Sequence, residues 1–556
     1  MSRLFVAIAA LLLTTAPSIA AEPMITGQIQ SIDAILKKFD TTVDSFLSPE
    51  LSKVMKDSVR TKLNLNAIPG LDPKRPIAFY GSIAEDPLAS RFVFMFPVTD
   101  EKAFIQLLGT LKLDVKPGKE GVYSITVPGI PLPNFMKFVD GYAWISVLSA
   151  LPLENGKRLA LKDVLRDDKS AVVLSIKPTL LPQSYRELIE TIVAQAGNDI
   201  ESQADGLPQM KKAGIATNVV LTRFTNMLLS ETKEITFRLD LDPASGMVTT
   251  ETEIEPIAKS RFAASVAEFP ATTNTFASLA TPDSLGSVRF RLPLVNQEIR
   301  DLLTNLLQVG EVLIKMSEGF AFEEMSIEML KALGRTAKTG DIDFAGVMRG
   351  PNANQQFSLV GVLTLQDTST IEKVWKKTLG TADPSVQKLF KLGASKIGDV
   401  EVHSAIPPKK LSPENVKLLG DGPVYFAFAP NAVLIGIGPD AVTIMGEALN
   451  AKKGPSPILD GQLSWKRVIQ MLGVDQQDIP LFRDLTPQQF NGIQMLGVDQ
   501  PDIPKGTKES FNPKLDRLSM LQFDMKTGKT LKIKAGVSAF TVFMLLTGTK
   551  QTFPAQ

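Results

Sequence analysis

The chain has 556 residues, with 60 Lys or Arg against 59 Asp or Glu, so its formal net charge is +1. It contains no cysteine and one histidine, His403. These counts exclude disulfides, thiolate nucleophiles, Cys-ligated metal centres and sites that need two histidines. The even charge balance argues against nucleic acid as a partner, because binding nucleic acid needs clustered Lys and Arg.

The first twenty residues have the three parts of a secretory signal peptide. A short basic start with Arg3 is followed by an apolar run at 4–13 and a small-residue segment that ends at Ala20. This pattern predicts cleavage before Ala21 and export to the periplasm, the cell surface or the medium. No later segment has the ~20 apolar residues of a spanning helix, so we expect no transmembrane anchor after cleavage.

The mature chain begins with an amphipathic pattern. Apolar residues at spacings of three and four predict a helix over 29–47, and Ser48-Pro49-Glu50 predicts the start of a second helix. Further along, Asp100 is expected to cap a helix that follows an apolar strand. The other elements predicted before residue 270 are strands at 77–80, 91–97, 121–127, 138–146 and 171–176, helices at 184–196, 208–229 and 259–269, and a hairpin over 234–254.

The second half repeats this order of elements. Its predicted elements are strands at 288–292, 357–365, 400–405, 424–429 and 433–437, a helix at 299–313, a helix capped by Asp367, and a hairpin over 518–534. Asp367 therefore corresponds to Asp100. We expect a duplicated α+β unit with halves at 21–275 and 276–556. Each half should be a mostly antiparallel sheet with long amphipathic helices packed on one face.

One short segment is repeated almost letter for letter. Residues 469–480 have the sequence IQMLGVDQQDIP, and residues 493–504 repeat it with Pro501 in place of Gln477. A duplicated binding turn is one interpretation of the tandem repeat at 469–504. A local duplication that lengthened a surface loop is the favoured one, because long loops cost little free energy.

The sequence carries no recognisable catalytic constellation. His403 and Ser404 are neighbours on a predicted strand, so their side chains point to opposite faces and cannot pair. No G-x-S-x-G elbow is present. Asp341 and Asp343 begin like a calcium loop, but its fifth position is Ala345 instead of an oxygen ligand, and its twelfth is Asn352 instead of a bidentate acid. We expect no catalytic residue, no cofactor and no metal, and hence no enzyme, with a carboxylate-based hydrolase as a distant alternative.

Apolar helix faces are the best candidates for ligand contact. The helices at 29–47, 208–229 and 299–313 are long and one-sided, and the chain has 30 Phe and 18 Met. Such faces suit an acyl-chain pocket. Packing of helices on a sheet explains the same pattern and is the favoured interpretation. The candidate ligand-binding residues are Phe39, Val43, Phe46, Val220, Phe224, Leu303 and Leu307.

Four short motifs carry a family resemblance. They are GLDPKRP at 70–76, FPVTD at 96–100, GVY at 121–123 and DGYAW at 140–144. With the signal peptide, they resemble a group of secreted, duplicated α+β proteins, typical of planctomycete-type bacteria, that carry a domain of unknown function. The resemblance implies an exported α+β fold and no catalytic residues.

The sequence thus predicts an exported, non-enzymatic binding protein whose partner is an unknown protein or a component of the cell envelope. The alternative is a periplasmic carrier of a lipid or another apolar ligand. A carrier needs a cavity of roughly several hundred cubic ångströms, whereas a solid core would contradict it.

Overall fold

A computed structural model describes residues 22–471, with gaps at 47–48, 63–67, 87, 155–156, 203–207, 269–272, 282–283, 294–296, 317–322, 340, 408–411, 465–466 and 469–470, together with residues 519–539. The expected signal peptide at 1–20 lies outside the described residues. The tandem repeat at 469–504 also lies outside them, apart from Met471.

The first ten strands, β1 to β10, belong to one sheet. Their bounds are Ile25–Ile29 (β1), Ile77–Ser82 (β2), Arg91–Pro97 (β3), Asp114–Pro117 (β4), Val122–Val127 (β5), Ile130–Val139 (β6), Tyr142–Val147 (β7), Val172–Ile176 (β8), Thr232–Asp242 (β9) and Met247–Pro256 (β10). All their pairings are antiparallel, and their order in space is β4-β5-β6-β7-β3-β2-β1-β8-β9-β10.

The later strands continue the same sheet. Their bounds are Thr273–Asn274 (β11), Ser284–Pro293 (β12), Asp341–Arg349 (β13), Ser358–Thr364 (β14), Phe390–Ile397 (β15), Val400–Ala405 (β16), Val424–Ala429 (β17), Ala432–Ile437 (β18), Gly454–Pro455 (β19), Leu459–Ser464 (β20), Ser519–Lys526 (β21) and Leu531–Ser538 (β22). Their order is β15-β16-β17-β18-β14-β13-β12-β20-β21-β22, again antiparallel. An antiparallel pairing of β10 with β22 joins both sets into one 20-stranded sheet, and β11 pairs with β19 apart from it.

Helices lie between the strands. Within the described residues their bounds are Ile32–Phe46 (α1), Pro49–Lys62 (α2), Glu101–Thr110 (α3), Leu161–Val164 (α4), Gln183–Ser202 (α5), Pro208–Ser230 (α6), Arg261–Glu268 (α7), Gln297–Met316 (α8), Glu323–Thr339 (α9), Thr368–Thr381 (α10), Pro384–Gln387 (α11), Pro413–Leu419 (α12) and Ala441–Leu449 (α13). None of these helices combines the length and apolar character that crossing a membrane requires.

The α+β class and the mostly antiparallel sheet are therefore confirmed. The expected helical opening of the mature chain is wrong, because strand β1 precedes α1. Strands β4, β13, β15 and β20 and helices α9 and α13 were not predicted, and β6 was recognised only at its end. These strands are short or interrupted by glycine or proline, which weakens the local sequence pattern of a strand.

Helices pack on both faces of the sheet in the second set of strands, which corrects the expectation of helices on one face. We call the back face the side with Ala345, Val347 and Val360, and it packs against α13. The front face is the side with Phe344 and Leu363. It packs against α8 and α9 at one end. Both faces carry apolar side chains, so both need cover.

The expected cap at α3 is confirmed, whereas that at α10 differs. Asp100 accepts hydrogen bonds from the backbone N–H groups of Lys102, at 2.9 Å, and Ala103, at 3.1 Å. Asp367 precedes α10 but has a positive φ of 57° and makes no side-chain bond to the helix amides. Its carboxylate instead accepts from the Thr370 hydroxyl at 2.7 Å.

Buried hydrogen bonds hold the segment at 274–275, which leads into the second set of strands. Asp343 is 2% exposed on β13, so it lies in a strand and not in a cation-binding loop. Its Oδ2 accepts from the Thr275 N–H at 2.9 Å and lies 3.3 Å from the Arg291 guanidinium. Asn274 donates to the carbonyl groups of Phe290 and Phe344. From residue 274 onward the chain is therefore packed against the second set of strands.

Candidate functional site

An open apolar groove of about 630 Å³ lies on the front face of the second set of strands. Its walls come from six adjacent strands, β20, β12, β13, β14, β18 and β17. Cross-strand partners in a sheet share a face, so the pairing register identifies which side chains meet there.

Two glycines form the centre of the groove floor. Gly346 on β13 lies opposite Gly361 on β14, and these two are flanked by Val288 and Ile435 on the neighbouring strands. The adjacent row of cross-strand partners is Gly286, Met348, Leu359, Ile437 and Val424. Because glycine has no side chain, the floor is low at the two central positions, where the edge of the Phe344 ring lies against both glycines.

The covering helices stop short of this part of the sheet. Phe344 stacks on Phe290 with ring centroids 5.1 Å apart, and both lie at the end that α8 and α9 cover. Beyond Phe344 the described residues leave the front face open, and Leu359 and Ile435 are 47% and 56% exposed. An apolar surface that the fold leaves uncovered is a typical place for an apolar ligand or partner.

The groove contains no charged side chain. Among its lining residues, Ser287 and Gln462 are the polar ones, and the others are glycine or apolar. A carboxylate or ammonium group placed there would lose its hydration without gaining a partner, which costs several kcal/mol. The groove is therefore suited to an uncharged, apolar group.

The five predicted contact residues whose side chains the structure describes do not line this groove. Val43 is 1% exposed on α1, Phe39 is half-buried on the same helix, and Phe224 is 41% exposed on α6. On α8, Leu303 packs against the sheet near Ala337, and Leu307 is half-buried.

Phe46 and Val220 lie in α1 and α6, and their side chains are outside the described part of the structure. A ligand role for the seven residues stays a prediction. The glycine floor was not predicted from the sequence. The signal that could have revealed it is one glycine within an apolar stretch of each of two strands, Gly346 in β13 and Gly361 in β14.

A polar cluster surrounds His403, next to the groove. The fully buried imidazole packs against Trp375 of α10, with ring centroids 4.8 Å apart. Its Nδ1 accepts from the Gly393 N–H at 3.1 Å, and its Nε2 lies 3.2 Å from a Glu372 carboxylate oxygen. Burial lowers the pKa of His403 below its ordinary value of 6.5. The neutral ring therefore carries its proton on Nε2 and donates it to Glu372.

The cluster resembles a metal site only in composition. Ligand atoms of Glu372, Glu401 and His403 lie within 4.8 Å of one another. The Lys376 ammonium already bridges the two carboxylates, at 2.7 Å from Glu372 and 3.1 Å from Glu401. A metal on Nε2 would also move the imidazole proton to Nδ1, directly facing the Gly393 N–H. The arrangement therefore fits a structural network better than a metal centre.

Comparison of the chain with protein-family models, with curated proteins and with solved structures gives no match. The function must therefore be argued from the groove itself.

Proposed function

We propose that this protein is an exported, non-enzymatic binding protein that carries a lipid or another apolar ligand in the front-face groove. The observation that carries the proposal is the groove itself, whose volume of about 630 Å³ falls in the range of roughly 300–1,000 Å³ usual for small-molecule sites. The absence of charge among its lining residues supports an apolar ligand. Export rests on the signal-peptide pattern at residues 1–20.

The absence of catalysis is part of the same proposal. The one histidine has both ring nitrogens engaged, by Gly393 and Glu372, and is fully buried. Ser404 pairs with Tyr425 and His403 with Phe426, so the neighbouring His and Ser side chains lie on opposite faces of β16. These contacts support a structural and not a catalytic role for His403.

We also propose that the chain consists of two copies of one α+β unit. The pairing order β4-β5-β6-β7-β3-β2-β1-β8-β9-β10 has the same pattern as β15-β16-β17-β18-β14-β13-β12-β20-β21-β22. Corresponding strands also agree in length: β3 and β14 have seven residues each, and β7 and β18 have six. Helices α3 and α10 follow β3 and β14 at the same distance, after Asp100 and Asp367.

Native mass spectrometry of the mature protein, purified gently from its own host, tests the carrier function. The expected spectrum contains a species heavier than the bare protein by the mass of one lipid, and organic extraction removes that species. Extracted protein incubated with a long-chain fatty acid should recover one bound molecule. A bare mass before and after incubation would contradict the proposal.

Docking to a protein or envelope component is the second candidate function. The observation that favours it is a set of exposed apolar side chains on α5 and α6, which include Leu188 at 55%, Ile192 at 58% and Val219 at 54%. Substitution of Leu188 and Ile192 by serine should release the protein from an envelope fraction while leaving fatty-acid binding unchanged. Equal retention of the variant and the original protein would contradict this candidate.

A further inference from the structure

We infer that Gly346 and Gly361 determine what the groove admits, and that each molecule holds one unbranched, uncharged hydrocarbon chain. This inference rests on the proposed carrier function and adds the class of ligand, the number of sites and the residues that set specificity.

The two proposed copies differ along one row of cross-strand partners in the sheet. Along β8-β1-β2-β3-β7 the directly opposed residues are Leu174, Gly27, Phe79, Phe94 and Ile145. Along the corresponding strands β20-β12-β13-β14-β18 they are Gly461, Val288, Gly346, Gly361 and Ile435. The row therefore has two phenylalanines in the first copy where the second copy has two glycines.

The two phenylalanines fill the first copy. The rings of Phe79 and Phe94 lie 5.9 Å apart between centroids, and the Phe79 ring rests directly on Gly27. In the second copy the aromatic side chains are missing from both central positions, and Val288 replaces the glycine beneath. The ring of Phe344 lies over part of this floor, 3.2 Å from where a Cβ on Gly346 would stand. The rest of the space that the two rings fill in the first copy belongs to the groove in the second, so we place one site there.

The shape of the groove selects the ligand. Its six strands span about 24 Å from first to last at the usual spacing of about 4.8 Å. A long, open groove of this kind suits one extended hydrocarbon chain that lies along the row better than the broad, rigid plate of a fused-ring sterol. Because the lining carries no charge, a charged head group has to remain outside it.

The test uses the binding of a conjugated-polyene fatty acid, whose fluorescence increases when it leaves water, to the full mature protein. A Cβ added at Gly361 meets its nearest neighbour, a Ile435 methyl carbon, at 3.6 Å, which is ordinary contact. Gly361→Ala, the first step of a size series at this position, should therefore weaken binding slightly, by up to about threefold. Gly361→Phe restores the ring of the first copy and should weaken binding at least tenfold. A fused-ring sterol should fail to displace the probe from the original protein.

A second variant keeps the test decisive if Gly361→Phe does not fold. Ile435 is 56% exposed beside the glycine floor. Ile435→Trp places a larger side chain in the groove at this exposed position, so it should also weaken binding. If the fatty acid binds equally to the original protein and to both variants, the inference is overturned but the carrier function still stands. Displacement of the fatty acid by the sterol would have the same meaning. No binding to the original protein would overturn the carrier function itself.

Discussion

At the scale of single residues, His403 has an unusually complete set of contacts. Its ring lies against Trp375 and Phe426, and both nitrogens have hydrogen-bond partners. The sequence predicted a strand residue without a catalytic role, because Ser404 had to face the other way. It could not predict Glu372 or Gly393 as partners, since these contacts depend on the packing of α10 and the pairing of β15.

The pKa of His403 gives a direct prediction. Desolvation by burial lowers it below 6.5, with the hydrogen bond to Glu372 acting in the opposite direction. The folded protein therefore takes up this proton less readily than the unfolded chain. The associated stability is complete above about pH 6.5 and is lost progressively as the pH falls below that value.

Because the chain has a single histidine, one imidazole signal in an NMR titration reports it. We expect a midpoint below 6.5, and a still lower one in Glu372→Gln, which loses the carboxylate that stabilises the charged ring. A midpoint above 6.5, or a rise in the variant, would contradict the neutral, buried ring.

At the scale of elements, the two helices that follow β3 and β14 start differently. Asp100 satisfies two free amides of α3, whereas the carboxylate of Asp367 satisfies none in α10. The sequence predicted both helices, because apolar periodicity after an aspartate indicates a helix start. It could not predict the left-handed backbone of Asp367.

Asp100→Ala should reduce the free energy of unfolding by about 1 kcal/mol, the usual cost of losing an N-cap side chain. Glu101→Ala, at the next position and exposed, should cost less than about 0.5 kcal/mol because it loses only an interaction with the helix dipole. Urea unfolding of the three proteins measures both values. Equal losses in the two variants would mean that the cap bonds of Asp100 contribute nothing specific.

The groove itself was beyond prediction for a physical reason. A glycine in a strand normally weakens it, and neither Gly346 nor Gly361 indicates a site alone. They form a floor only because β13 and β14 pair in a register that sets one opposite the other, and because α8 and α9 pack on the sheet around Ile342 and Leu363, to one side of them. Register and helix placement are non-local, whereas the sequence patterns that located the long helices are local.

At the scale of the whole molecule, the pairing of β10 with β22 joins the sheet. Glu253 lies opposite Lys532, and Glu251 lies opposite Lys534. The Lys532 ammonium is 3.0 Å from the Glu253 carboxylate, whose side chain is 19% exposed. Opposite charges on facing strands favour this register over a shifted one.

Lys532→Glu sets two carboxylates against each other and should lower the free energy of unfolding by about 1 kcal/mol, a modest figure because the pair is partly solvated. The loss should shrink in about 1 M salt, where charges are screened. Lys529→Glu, with the same charge change in the exposed turn between β21 and β22, is the matched control and should change little. A loss equal to that of the control would contradict a stabilising charge pair at this junction.

The central claim is that an apolar chain occupies the groove on the front face, and photo-crosslinking tests it most directly. A fatty acid with a photoactivatable diazirine in mid-chain is bound to the mature protein, irradiated, and the labelled peptides are identified by mass spectrometry. We predict label within 344–348, 359–361 and 435–437, and little label after excess unlabelled fatty acid. Label confined to the helix faces with Phe39, Phe224 and Leu303, or spread over the surface, would contradict a carrier that uses this groove.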